Sequence, residues 1–182
     1  MNALHVEEII SDSIKQGYRL IITIFNDDND VEVGKCVTRA ITDGIVKREE
    51  LLIVGQLWSS YRQKQHIKPV LQMALDNLGL DYIDLYLVQF SFATEYIDLK
   101  QFSPESEETN KLKLASVSLE ETWRELEALV DAGVIRNLGI SHFNFQSVID
   151  LLRYARIRPR VLEIEHHPYF QQKKKPGRVG SL

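Results

Sequence analysis

Residues 77–89 read NLGLDYIDLYLVQ, and this stretch decides the fold. Gly79 closes a helical segment. The near-continuous apolar run from Ile83 to Val88 then has the pattern of a parallel strand buried on both faces. In an α/β barrel, chemistry sits at the C-terminal end of such a strand. Gln89 therefore occupies the most informative position in the chain.

Working outward, strand-like and helix-like segments alternate. Residues 6–16 place Ile9, Ile10 and Ile14 at helical spacing, and Gly17 ends the segment. Residues 19–25 (RLIITIF) form a strand, followed by a polar acidic loop at 26–30. Residues 33–42 form a helix with Val33, Val37 and Ile41 on one face. A strand at 51–57 and a helix at 67–78 follow, with Pro69 tolerated in the helix's first turn. After the strand at 82–88, residues 90–117 read as a long surface loop. A helix at 119–132 is capped by Ser118, and a strand covers 135–140. A helix at 145–155 and a strand at 160–165 complete the pattern. The alternation implies right-handed βαβ units and a parallel sheet, hence the α/β class.

Bulk properties narrow the function. The chain has 182 residues, with 22 basic and 26 acidic side chains and a net charge of -4. Neither a nucleic-acid nor a membrane-surface partner is expected from that balance. The single cysteine, Cys36, cannot form an internal disulfide, which fits a reducing, cytoplasmic location. No apolar run reaches the roughly 18 residues of a spanning helix.

The opening stretch resembles the fourth barrel strand of the aldo-keto reductases, which ends in a catalytic His. GYRLI at 17–21, EVG at 32–34, GIVKREEL at 44–51 and Leu57-Trp58 read like the same family. So do LEALVDAGVIRNLGIS at 126–141 and IEHHPYFQQ at 164–172, the last being similar to the fungal, xylose-reductase-like branch. The resemblance implies a partial (β/α)8 TIM barrel of about five of eight βα units, with the first strand and the last two missing, since a complete barrel takes about 250 residues. It implies a truncated aldo-keto reductase-like, NADP-dependent oxidoreductase domain over residues 1–172. The basic run KKKPGRVGSL at 173–182 then reads as a disordered tail or a premature stop. It also implies NADP or NAD as cofactor and a small-molecule carbonyl substrate. The missing strands leave open edges through which the chain can self-associate.

The resemblance also locates the reaction. In the family a hydride reaches a carbonyl carbon while a Tyr phenol protonates the oxygen. An Asp and a Lys tune the phenol, and a His orients the carbonyl. Aligned without gaps, the Asp falls on Ile22, the Tyr on Asp27, the Lys on Gln56 and the His on Gln89. None matches. A carboxyl group with a reference pKa of about 4 is ionised where a phenol of about 10 is not, so Asp27 is a poor proton donor near neutral pH. Gln56 supplies no cation and Ile22 can neither pair nor titrate. Gln89 can still donate to a carbonyl.

Of the nicotinamide contacts, Ser141 is kept, while His142 and Glu163 replace two amide side chains. Trp58 and Phe90 sit at strand ends, where they either line a substrate pocket or simply pack. The acidic run 26–30 lacks the Gly and spaced Glu of a calcium loop, and His166-His167 point to opposite faces of a strand, so no metal is expected. Two functions compete: an NAD(P)H-dependent carbonyl reductase, and a catalytically inactive fragment with a binding or regulatory role or from a decaying gene.

Overall fold

The structure, a computed structural model, describes residues 3–23, 30–97 and 113–172. Its strands are β1 (Leu20–Ile22), β2 (Leu52–Leu57), β3 (Ile83–Gln89), β4 (Ile135–Ser141) and β5 (Leu162–Glu163). All neighbours are parallel and lie in sequence order, giving one curled five-stranded sheet, half of a barrel. The helices are α1 (Ala3–Lys15), α2 (Asp30–Thr42), α3 (Lys64–Leu78), α4 (Leu119–Asp131) and α5 (Phe145–Tyr154).

Local chemistry fixes the element ends. Ser118 caps α4 by accepting from the Glu121 amide at 3.0 Å, and Asn144 caps α5 by accepting from the Ser147 amide at 2.9 Å. Gly79 stops α3 at φ 64°, a left-handed conformation that glycine adopts without penalty. The chain then turns directly into β3.

Several expected boundaries move. The first helix starts at Ala3 rather than at residue 6. α2 starts at Asp30 rather than at 33, because Asp30 and Glu32 place negative charge at its N-terminal dipole. α3 starts at Lys64, which moves Pro69 out of the first turn and into the helix proper, where it can donate no hydrogen bond to the Gln65 carbonyl. The strand expected over 19–25 pairs only at Leu20–Ile22, and residues 24–25 lie outside the described residues. The last strand shrinks to Leu162–Glu163. Both short strands are edges with a single neighbour, so fewer ladder bonds hold them. The ends of the 90–117 connection pair through a Thr94–Leu114 bridge, and its middle, 98–112, lies outside the described residues. The basic run 173–182 lies outside them as well.

Helices cover one face of the sheet. Tyr86, Val88, Leu138 and Ile140 from the strands meet Leu71, Leu75, Trp123 and Leu126 in the main core. Ile21 and Ile53 meet Ile14, Val37 and Ala40 in a second cluster. Residues alternate across the strands, so the other, inner face carries Val54, Leu85 and Leu87, which pack together. At the β1 edge this face is open: Leu20, Ile22 and Leu52 are 53%, 51% and 43% exposed. Gly139 belongs to the inner face because a Cβ there would come within 2.5 Å of Leu87 Cδ2.

The N-terminal ends of the strands are clamped by charge. The buried Asp84 carboxylate accepts from the Ile53 amide at 3.0 Å, from Arg48 at 2.8 Å and from Arg136 at 3.3 Å. The two guanidiniums lie 4.0 and 3.8 Å from the centre of the Tyr82 ring. One carboxylate thus ties β2, β3, β4 and the turn before β2.

Candidate functional site

Register carries the candidate residues to one place. Gln56 shares the inner face with Val54, and Gln89 shares it with Leu85 and Leu87. Gln89 pairs with Ser141, and Ser141 with Glu163. Four polar side chains therefore stand on one face at the C-terminal ends of four adjacent strands, the end where barrel sites form.

Two of them carry an oxygen without a partner. Gln56 is 6% exposed, and neither its Oε1 nor that of Gln89 has a hydrogen-bond partner. Ser141 is fully buried and its hydroxyl donates to Glu163 Oε1 at 2.8 Å. Ile22 faces the same side in register with Val54, exposed and apolar. Asp27 lies outside the described residues.

The rim of the site is aromatic and strained. Phe90 and His142, each directly following a strand, both adopt φ 60°. For residues with a Cβ such a conformation costs about 1–3 kcal/mol and persists only where the surroundings hold it. Here the backbone ladder holds it: the Phe90 amide donates to the Ser141 carbonyl at 2.9 Å, and the His142 amide to the Glu163 carbonyl at 3.0 Å. The result is a stack, with ring centroids 5.3 Å apart for Phe90–Phe92 and 5.2 Å for Phe90–His142. Trp58, the other aromatic candidate, packs against the main core.

Arg62 escapes sequence reasoning, because in SSYRQ it reads as an ordinary surface residue. It is 1% exposed. Nε donates to Thr122 Oγ1 at 3.2 Å, and one terminal nitrogen donates to the carbonyls of Phe90 at 3.0 Å and Phe92 at 3.4 Å. Burial lowers its pKa to about 10. The guanidinium is consumed by carbonyl groups, and its place is beneath the strained loop that carries the aromatic stack. His66 stacks on Tyr96 with centroids 3.9 Å apart. His167 pairs with Glu165 at 2.8 Å, and no group of three potential metal ligands forms among the described residues.

The corner that the resemblance assigns to the nicotinamide is a poor match for it. A carboxamide needs an acceptor for its NH2 and a donor for its carbonyl. Glu163 supplies acceptor oxygens, but the Ser141 proton is already committed to Glu163, and His142, whose ring face lies on Phe90, stands where the resemblance puts an amide. The strand residues of the inner face include no Lys or Arg. The residues present do not fit the group.

Comparison with known proteins places this geometry. The model of the Aldo/keto reductase family matches residues 5–177. A probable NAD(P)H-dependent D-xylose reductase of Aspergillus fumigatus is 47% identical over 164 residues, 89% of this chain and 52% of that protein. An NAD(P)H-dependent D-xylose reductase of Aspergillus niger is 45% identical, over 88% of this chain and 51% of that one. Among solved structures, an aldose reductase from Giardia lamblia superposes with a TM-score of 0.84 at 29% identity, covering 92% of this chain and 55% of that one. A Bombyx mori aldo-keto reductase in complex with NADP gives 0.78 at 31% identity, covering 91% and 50%. The chain thus spans about half the length of the relatives it matches. With five parallel strands in sequence order and the family model covering most of its length, the chain belongs to the aldo/keto reductase family.

Proposed function

We propose that this chain is an aldo-keto reductase homologue whose family reaction is NAD(P)H-dependent reduction of an aldehyde or ketone to an alcohol, and which does not carry out that reaction as it stands. The observation that supports this is the pair Gln56 and Gln89. They stand where the resemblance puts a cation and an imidazole, and both face the inner side of the sheet. Neither can neutralise charge developing on a carbonyl oxygen or hand over a proton. A cytoplasmic location and a small-molecule ligand belong to the same reading. So does a domain over residues 1–172. Among the described residues, no helix is long and apolar enough to cross a membrane.

Cofactor binding is the first test. Trp58 directly follows β2 at the C-terminal end of the sheet, so its fluorescence is the readout of occupancy. NADPH at micromolar concentration is expected to give no saturable quenching, given the donor already spent at Ser141 and the replacement of two amide side chains by His142 and Glu163. Saturable quenching would overturn this part of the proposal.

Among the described residues the inner face is open at β1 and the outer sides of β1 and β5 are unpaired, and this has a second consequence. Exposed strand edges beside exposed apolar residues promote association. On size-exclusion chromatography the purified chain is expected to run as an oligomer or aggregate. A sharp monomer peak with a cooperative thermal transition would contradict it.

A further inference from the structure

On the helical side of the sheet, away from the inner face, α1 and α2 enclose a cavity of about 420 Å³. Small-molecule sites have volumes of about 300–1,000 Å³. Glu7, Ser11 and Lys15, spaced four apart, form its α1 wall, and Cys36, Ala40 and Ile45 line it from α2 and the turn that follows. The Cys36 thiol donates to the Glu7 carbonyl at 3.7 Å, which sets Glu7 level with Cys36. Both helices lead into parallel strands and so run in the same direction. Ala40 and then Ile45 therefore follow further along the groove.

The charges around the cavity fall into two groups. Lys15 pairs with Asp12 at 3.4 Å, and Arg39 with Asp43 at 3.6 Å. Glu7 and Lys35 also line the cavity, yet among the described residues neither makes an ion pair, with the other or elsewhere. Both act on the Cys36 sulfur. Burial first, and the Glu7 carboxylate next, push the thiol pKa up, while Arg39 and Lys35 oppose them. One carboxylate and one ammonium thus flank the thiol end of the groove, too far apart to neutralise each other.

We propose that the α1–α2 groove binds an aliphatic α-amino acid as its zwitterion, the ammonium on Glu7, the carboxylate on Lys35 and the side chain along Cys36, Ala40 and Ile45. The ligand class follows from the charges. A simple anion would meet Lys35 but face the Glu7 carboxylate. A simple cation would meet Glu7 but face the Lys35 ammonium. A zwitterionic head answers both. Beyond that head the floor is a buried thiol, which behaves as a small hydrophobe, then the Ala40 methyl and the 41% exposed Ile45. An aliphatic side chain laid there removes Ile45 from water. The groove and the inner face lie on opposite sides of the sheet, so this inference holds whether or not the chain reduces carbonyls.

The test is equilibrium dialysis of the full chain against radiolabelled L-leucine, a measurement that tolerates self-association. Saturable binding at one site per chain is expected at millimolar concentration. On the parent protein, 4-methylpentanoate lacks the ammonium and 3-methylbutylamine lacks the carboxylate. Each should compete about fivefold less effectively than unlabelled leucine, the loss of one exposed ion pair. Glu7→Gln and Lys35→Gln should each weaken leucine binding by a similar factor. In Glu7→Gln the advantage of leucine over 4-methylpentanoate should vanish, and in Lys35→Gln its advantage over 3-methylbutylamine. A general loss of structure would not produce that pairing. Should a variant fail to fold, the competition series on the parent protein decides.

Absence of saturable leucine binding would overturn the proposal. So would competition by either singly charged analogue as strong as that by leucine, or parental affinity for leucine in either variant.

Discussion

Steady-state oxidation of NADPH by the purified chain, with an aldose or an aromatic aldehyde as acceptor, is expected to stay at the protein-free rate. The magnitude follows from what is missing. Loss of a general acid alone removes about two to four powers of ten in rate, and loss of electrostatic stabilisation of the oxyanion about two to three more, although such losses are not additive. On the inner face, Gln56 and Gln89 offer orientation but no acidity, and Ile22 is exposed hydrocarbon. Positioning accelerates a reaction only when both reactants are held in attack geometry, and the Ser141–Glu163 corner has already used the donor that a carboxamide would need. The companion protein is the quadruple variant Ile22→Asp, Asp27→Tyr, Gln56→Lys, Gln89→His. If it too is inactive, the half-barrel itself limits activity. If it alone is active, the four side chains account for the loss.

The second large effect is on stability. Asp84→Ala is expected to destabilise the fold by about 3–5 kcal/mol, the usual cost of removing one partner of a buried ion pair. Asp84 holds the Ile53 amide, Arg48 and Arg136 together, and Arg48 is itself largely buried. Its removal leaves a guanidinium without its carboxylate against the Tyr82 ring. Asp131, which pairs with Arg156 on the exposed surface, is the control: Asp131→Ala should cost no more than about 1 kcal/mol. Urea denaturation of both variants beside the parent measures the difference. Equal midpoints for all three would show that the clamp contributes nothing.

The legible and illegible parts of the sequence separate on physical grounds. The run from Ile83 to Val88 could be read as a doubly buried parallel strand because burial on both faces demands hydrocarbon at nearly every position. The α3 stop was legible because only glycine takes φ 64° freely. Edge strands were not, because their length depends on pairing with one neighbour, which local composition does not record. Hence 160–165 reads longer than the Leu162–Glu163 that pairs. The N-terminal boundary of α3 was misplaced because periodicity begins at Ile67, while the polar residues from Lys64 that start the helix carry no apolar signal.

At the site, alternation and register were enough to bring Gln56, Gln89, Ser141 and Glu163 to one face. The left-handed backbones of Phe90 and His142 and the buried guanidinium of Arg62 were invisible. Both arise from tertiary hydrogen bonds between segments that lie far apart in the chain, such as the 28 residues separating Arg62 from Phe90.

The central claim is that this inner face does not promote hydride transfer to a carbonyl. Its most direct measurement is a single-turnover reaction with the chain in excess over NADPH deuterated at the transferring position of the nicotinamide, an aldehyde in further excess, and mass spectrometry of the alcohol formed. No deuterium in the alcohol above a protein-free control is the predicted result. Deuterated alcohol accumulating in proportion to protein concentration would contradict the claim.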